Sequence, residues 1–213
     1  MGRLSLTLFL FGILFSIQAQ YQCGFDPLHK KWLAEDNNYR RRTELLNQNL
    51  WRSSNSNQQN LIPKTYILPV VVHVFSPSGQ NIGSKYNPSF SAIKNAIDQV
   101  NRAFNNEYPF DTKEGIETHI KFCLVSLDPN GNATTGITRQ FSPWVENLNC
   151  YPGTSLQNEG DIKKIQHWNC SRYINIWLVS DLFNVQEGCS LNAFSYLPSV
   201  ACDLDGILIE SSL

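Results

Sequence analysis

One run of ten residues, Tyr66-Ile67-Leu68-Pro69-Val70-Val71-Val72-His73-Val74-Phe75, constrains this chain more than any other stretch. It is rich in β-branched side chains, bounded by Pro77 and Gly79, and shows no polar alternation. A run of that length and composition predicts a single strand buried on both faces, the kind found in sheets covered by helices.

The stretches around it supply the cover. Asn87 and Pro88 open a predicted helix whose apolar residues Phe90, Ile93, Ile97, Val100 and Phe104 recur at three and four, so one stripe is expected to face a sheet. Further strands are predicted at Ile120 to Leu127, Gly136 to Arg139 and Tyr173 to Val179. Between the first two, Asp128-Pro129-Asn130-Gly131 reads as a turn in which glycine takes the positive φ. A short helix is expected from Asp161 to Trp168, and weaker extended pieces at Ala193 to Leu197 and Gly206 to Ile209. Strands alternating with helices predict an α/β sheet with helices covering it.

The N-terminal third has a different character. Arg3 followed by the apolar run Leu4 to Ile17, ending at Ala19, has the layout of a signal peptide, so residues 1–19 are expected to be removed and the chain secreted. That run is shorter than the roughly 20 residues needed to span a bilayer, and no membrane association is expected once it is gone. Cleavage leaves sixteen basic against eighteen acidic residues, with no basic stripe to suggest a nucleic-acid partner. From Asp26, read as an N-cap, to about Leu50 a helix is predicted, with Leu28, Trp32, Tyr39, Leu46 and Leu50 on one side. Its other side carries Lys30, Lys31, Arg40, Arg41 and Arg42, a solvated face or a target for a processing protease. Ser53 to Asn60 has no apolar residue to bury and reads as a linker.

Six cysteines in a secreted chain normally pair. Cys189 and Cys202 flank a loop of a dozen residues and are expected to be bridged, whereas Cys23 is either a further disulfide partner or a thiol with a separate task. The four histidines, His29, His73, His119 and His167, have no metal-ligand spacing among themselves. His73, inside the apolar strand, is expected to be a hydrogen-bonded structural residue.

Several pieces, in order, resemble the front half of the pappalysin family of metzincin zinc metalloproteases. They are Cys23-Gly24 ahead of a charged helix, Ile67 to Val74, Ile120-Lys121-Phe122-Cys123-Leu124, Asp128-Pro129-Asn130-Gly131 leading to Gly136-Ile137-Thr138-Arg139, Tyr173 to Trp177, and Asp205 to Ile209. The resemblance implies three parts: the signal peptide at 1–19, a mainly helical propeptide and linker at 20–62, and at 63–213 the N-terminal part of a catalytic domain with a twisted mixed sheet. It implies peptide-bond hydrolysis of protein or peptide substrates by zinc-bound water. The family's H-E-x-x-H-x-x-G-x-x-H zinc helix is absent from the 213 residues, so the histidine ligands are expected beyond Leu213, and this chain alone is expected to be inactive. Within the chain, Cys23 would be the metal ligand, its thiolate holding the open coordination position of zinc in a zymogen. Ala193, Phe194, Ser195 and Tyr196 resemble the edge strand that pairs with an extended substrate. The rival readings are a complete, non-enzymatic, disulfide-stapled binding domain and a truncated degenerate relative.

Overall fold

The computed structural model describes residues 25–54, 64–142, 159–180, 182–184, 189–190, 192–196 and 202–211. Residues 1–24, which include the expected signal peptide and Cys23, lie outside the described residues, as do residues 55–63 of the expected linker region.

The long apolar run forms β1 (Tyr66–Ser76), the centre of the sheet. Along one edge β1 pairs in parallel first with β2 (Ile120–Leu124), through Tyr66 to Val70, and then with β3 (Ile137–Phe141), through Val72 to Ser76. Along its other edge Val70 to Val74 pair with β4 (Ile174–Val179), also in parallel. Two short strands, β5 (Phe183–Asn184) and β6 (Cys189–Ser190), form a separate antiparallel ribbon. Beyond β4 the sheet continues with β8 (Ile207–Glu210), parallel, and ends with β7 (Ala193–Ser195), antiparallel to β8. The sheet is therefore mixed, as the resemblance implied.

The absence of polar alternation in β1 has its reason in two covered faces. Val70, Val72 and Val74 point to a cluster with Ile93 and Ile97 of α3 (Phe90–Phe104). Phe75 joins a second cluster with Ile162, Trp177, Val179, Leu182, Phe194, Tyr196 and Leu208 on the opposite face, where α4 (Glu159–Ile165) lies. Each fully buried Val or Phe contributes on the order of 1.5–3 kcal/mol relative to exposure.

Local chemistry shifts several boundaries. The N-cap of α3 is Ser89, whose hydroxyl accepts from the Ala92 N–H at 3.2 Å, and the expected stripe is buried only at Ile93 and Ile97. Phe90, Val100 and Phe104 sit on its rim, half exposed, with Phe104 edge-on to Phe122 of β2. The turn after β2 forms as expected: Gly131 has φ +86°, and the Asp128 carboxylate accepts the Asn132 N–H at 2.8 Å and the Asn130 N–H at 2.9 Å. Those bonds, chiefly to Asn132, hold its pKa below the usual carboxylate value.

The expected single N-terminal helix is instead two, α1 (Phe25–Glu35) and α2 (Asn37–Ser54). Asp36 makes the break, because its carboxylate accepts the Asn38 and Tyr39 N–H groups at 2.8 and 3.0 Å and so caps α2. Arg40 folds back to donate to the Leu33 and Ala34 carbonyls at the end of α1. Arg41 and Arg42 stay exposed, while Tyr39 is buried. Among the described residues no helix is long and apolar enough to cross a membrane.

Candidate functional site

Strand β7 stands at one end of the sheet, with its register to β8 running Ala193 to Ile209, Phe194 to Leu208 and Ser195 to Ile207. Alternation along an extended strand sends Phe194 and Tyr196 to the same side, and both are buried in the core on the α4 face. Ala193 and Ser195 are half-buried. Of the four expected substrate-contacting residues, two thus have side chains committed to the core. What they leave near the surface is backbone and two small side chains.

The core under β7 contains a charge. Lys163 of α4 has no exposed surface, and its Nζ donates to the Leu204 carbonyl at 2.8 Å. The same ammonium lies over three aromatic rings, 4.7 Å from the centroid of Tyr196, 4.9 Å from Trp177 and 5.3 Å from Phe194. A buried cation needs such partners, and each ring face over a desolvated ammonium contributes on the order of 1–2 kcal/mol. Tyr196 also carries a ring from the N-terminal segment. Trp32 of α1 stacks on it with centroids 4.9 Å apart and planes 28° from parallel, packing against the core cluster. Behind Trp32, Tyr39 meets it edge-on at 5.3 Å and hydrogen-bonds His29 Nδ1 through its hydroxyl at 2.7 Å.

Farther along the same face lies a polar group of residues centred on His73, which is fully buried. Its Nε2 is 3.0 Å from Asn175 Oδ1 and its Nδ1 is 2.8 Å from Thr138 Oγ1. The neutral imidazole that donates from Nε2 and accepts the Thr138 hydroxyl at Nδ1 satisfies both contacts. Asn175 in turn clamps the Trp168 backbone, accepting its N–H and donating to its carbonyl, both at 2.8 Å. Burial pushes the His73 pKa down from 6.5 to about 4, the Asn175 bond opposing this and nearby His167 adding to it. His73 is the structural histidine that its strand setting implied.

Zinc does not fit the residues described. Among them no group of three or more His, Cys, Asp or Glu side chains converges on a point. The histidines are dispersed in separate contacts: His29 to Tyr39, His73 to Thr138 and Asn175, His119 to Glu117 at 3.2 Å, and His167 to the Lys163 carbonyl. Cys23, the expected ligand, lies outside the described residues.

At the other end of the sheet a groove of about 520 Å³ runs between α3 and β2, past Lys94, Asp98, Lys121 and Cys123. Its strand edge is already occupied. Asn101 accepts the Phe122 N–H at 2.7 Å and donates to the Phe122 carbonyl at 2.9 Å, imitating a neighbouring strand. Cys123 is a free thiol, half-buried.

The disulfide expectation is corrected. Cys202 is bonded to Cys170, with Cα atoms 5.3 Å apart, and so is not paired with Cys189. The parallel register decides this: Ile176 opposite Ile207, continued backwards, brings position 202 level with 171, beside Cys170. Closeness in sequence between Cys189 and Cys202 had no bearing on it. Two residues of the site were given no part in it from the sequence: Lys163 was not singled out, and Trp32 was placed only on the apolar side of the N-terminal helix. Lys163 in Glu159–Ile165 has the look of an ordinary solvated helix lysine, whereas Trp32, a large ring on a short helix with four charged residues, was a signal for docking.

No protein-family model matches the chain, and no curated protein matches it. Solved structures do. A mutant of Tannerella forsythia promirolysin matches with a TM-score of 0.61 and 24% identity, covering 89% of this chain and 59% of that one. Mature mirolysin from the same organism, in complex with a cleaved peptide, matches with a TM-score of 0.51 and 26% identity over 70% of this chain and 53% of that one. The likeness shows the fold, an α/β architecture with a twisted mixed sheet, and this chain spans a little under 60% of the length of promirolysin.

Proposed function

We propose that this chain is the front part of a secreted zinc metallopeptidase precursor of the pappalysin type, a metzincin, carrying an N-terminal segment that keeps it latent. The carrying observation is which form of mirolysin matches how much. The pro-form match covers 89% of the chain and the mature form 70%, and the difference, 19% of 213 residues or about 40, is close to the size of residues 20–62. Mirolysin is a pappalysin-type metzincin, and its mature form was solved with a cleaved peptide. The division into signal peptide at 1–19, propeptide and linker at 20–62 and catalytic part from 63 belongs to this reading. So does release from the cell.

In a complete enzyme of this type zinc would supply activated water for peptide-bond hydrolysis. No step of that chemistry is assigned to the residues described; apart from Cys23, the ligands are sought beyond Leu213. What the described residues offer is a support. Strand β7 at the sheet end presents backbone with which an extended peptide can pair, and the core beneath holds that backbone in one position.

The reading frame beyond Leu213 tests the proposal directly. We expect it to encode H-E-x-x-H, and we expect the protein extended through that motif to cleave peptides in a chelator-sensitive manner. The 213-residue chain should be inactive and bind no stoichiometric zinc. A genuine stop codon after Leu213 in the transcript would favour the non-enzymatic binding domain, and chelator-sensitive cleavage by the 213-residue chain would overturn the placement of the zinc ligands.

A further inference from the structure

We propose that Tyr196, with Lys163 behind it, forms an aromatic slot that Trp32 fills in this chain and that takes an indole side chain from a peptide when α1 departs. The inference rests on the reading of residues 20–62 as a removable segment, and it names a class of side chain for the surface beside β7.

Three observations carry it. Trp32 is a large ring presented by a helix whose outer face is polar, and it stacks on Tyr196 rather than on its own helix pair alone. Tyr196 is 6% exposed with Trp32 in place, so departure of α1 uncovers a flat ring at the end of the edge strand. The ring is also held by the core: Lys163 Nζ lies 4.7 Å from its centroid and is tied to the Leu204 carbonyl, in the segment anchored by the Cys170–Cys202 disulfide. A ring held in this way cannot swing into the space Trp32 leaves without uncovering the ammonium, which is costly. The slot therefore persists.

Its preference follows from charge. An ammonium over the Tyr196 ring draws on that ring's electron density and makes it a better partner for an electron-rich ring. Indole is the most electron-rich of the aromatic side chains, and it is what the chain itself places there. A benzyl group fits the same area with less attraction.

The test uses the full chain with Trp32→Ala and two probes, N-acetyltryptophanamide and N-acetylphenylalaninamide, with binding followed by ligand-observed NMR and calorimetry. The variant should bind the tryptophan probe saturably, one per chain, with Kd of about 0.1–1 mM, a range suited to a ligand of that size. The phenylalanine probe should bind at least about threefold more weakly. The unsubstituted chain should bind neither, and Lys163→Met, combined with Trp32→Ala, should narrow the ratio between probes. Native circular dichroism is required of each variant. Trp32→Leu, which keeps an apolar side chain on α1, serves in place of alanine if that variant is unfolded, with the same ranking expected at lower affinity. Absence of saturable binding in a folded variant, or equal binding to the unsubstituted chain, overturns the slot. Neither result bears on the zinc motif, whose presence or absence is read from the gene, so failure of the slot and failure of the peptidase reading are told apart.

Discussion

Acidification should loosen this domain through His73 in a defined pH range. The imidazole is neutral in the folded state, with a pKa near 4, against 6.5 for an unhindered histidine. Between those values the unfolded chain binds a proton that the folded chain refuses, so stability is untouched above pH 6.5 and falls as the pH drops toward 4. A shift from 6.5 to about 4 corresponds to roughly 3 kcal/mol when complete, and to about 2 kcal/mol at pH 5. The comparison that isolates this contribution is His73→Gln, which removes the titrating ring. Glutamine leaves Thr138 and Asn175 imperfectly paired, so the variant should be less stable at pH 7.5 by about 1–3 kcal/mol. Urea unfolding of both proteins at pH 7.5, 6 and 5 is the assay, and groups common to both cancel in the difference. The gap between wild type and variant should shrink by about 2 kcal/mol from pH 7.5 to 5. Parallel stability curves over that range would show that His73 is not held neutral by burial, and the reasoning would fail.

Other outcomes follow from single contacts. Replacing Cys170 and Cys202 together with serine opens a loop whose ends are 32 residues apart, and urea unfolding should register a loss of about 3–4 kcal/mol; peptide mapping without reduction should recover the Cys170–Cys202 pair. Gly206→Ala should be among the most damaging single changes, at roughly 2–4 kcal/mol by thermal unfolding, because a Cβ there would meet the Asn175 carbonyl oxygen and Trp177 Cζ3 at 2.4 Å, and the backbone sits at φ +137°. In the protein extended through the zinc motif, Cys23→Ala should give partial peptidase activity with residues 20–62 still attached. If Cys23 is a disulfide partner instead, latency stays intact and a thiol count on the parent finds no extra free cysteine.

Much of this architecture is legible one segment at a time, because the signals are local. The β-branched run at Tyr66 to Phe75, the three-and-four spacing from Phe90 to Phe104 and the turn at Asp128 to Gly131 each act within a few residues, and each formed where its pattern lay. The helix break at Asp36 was also local, but a carboxylate in a charged stretch looks the same whether it caps or not until its distance to the Tyr39 N–H is known. The site was less legible. The identity of β7 as the end strand depends on its pairing with β8, and Phe194 and Tyr196 turned out to be core because their side of that strand faces α4.

What the sequence by itself determined is the set of elements and the burial of β1 on both faces, since period and side-chain shape operate along the chain. Only the tertiary structure decided which distant residues meet: Cys170 with Cys202 through the register of β4 and β8, His73 with Asn175 across neighbouring strands, and Lys163 with the rings of Trp177, Phe194 and Tyr196. A lysine, a tryptophan and a cysteine have no preferred partner until packing removes water from around them. Their energies then depend on distance and burial, quantities that arise only when the elements come together.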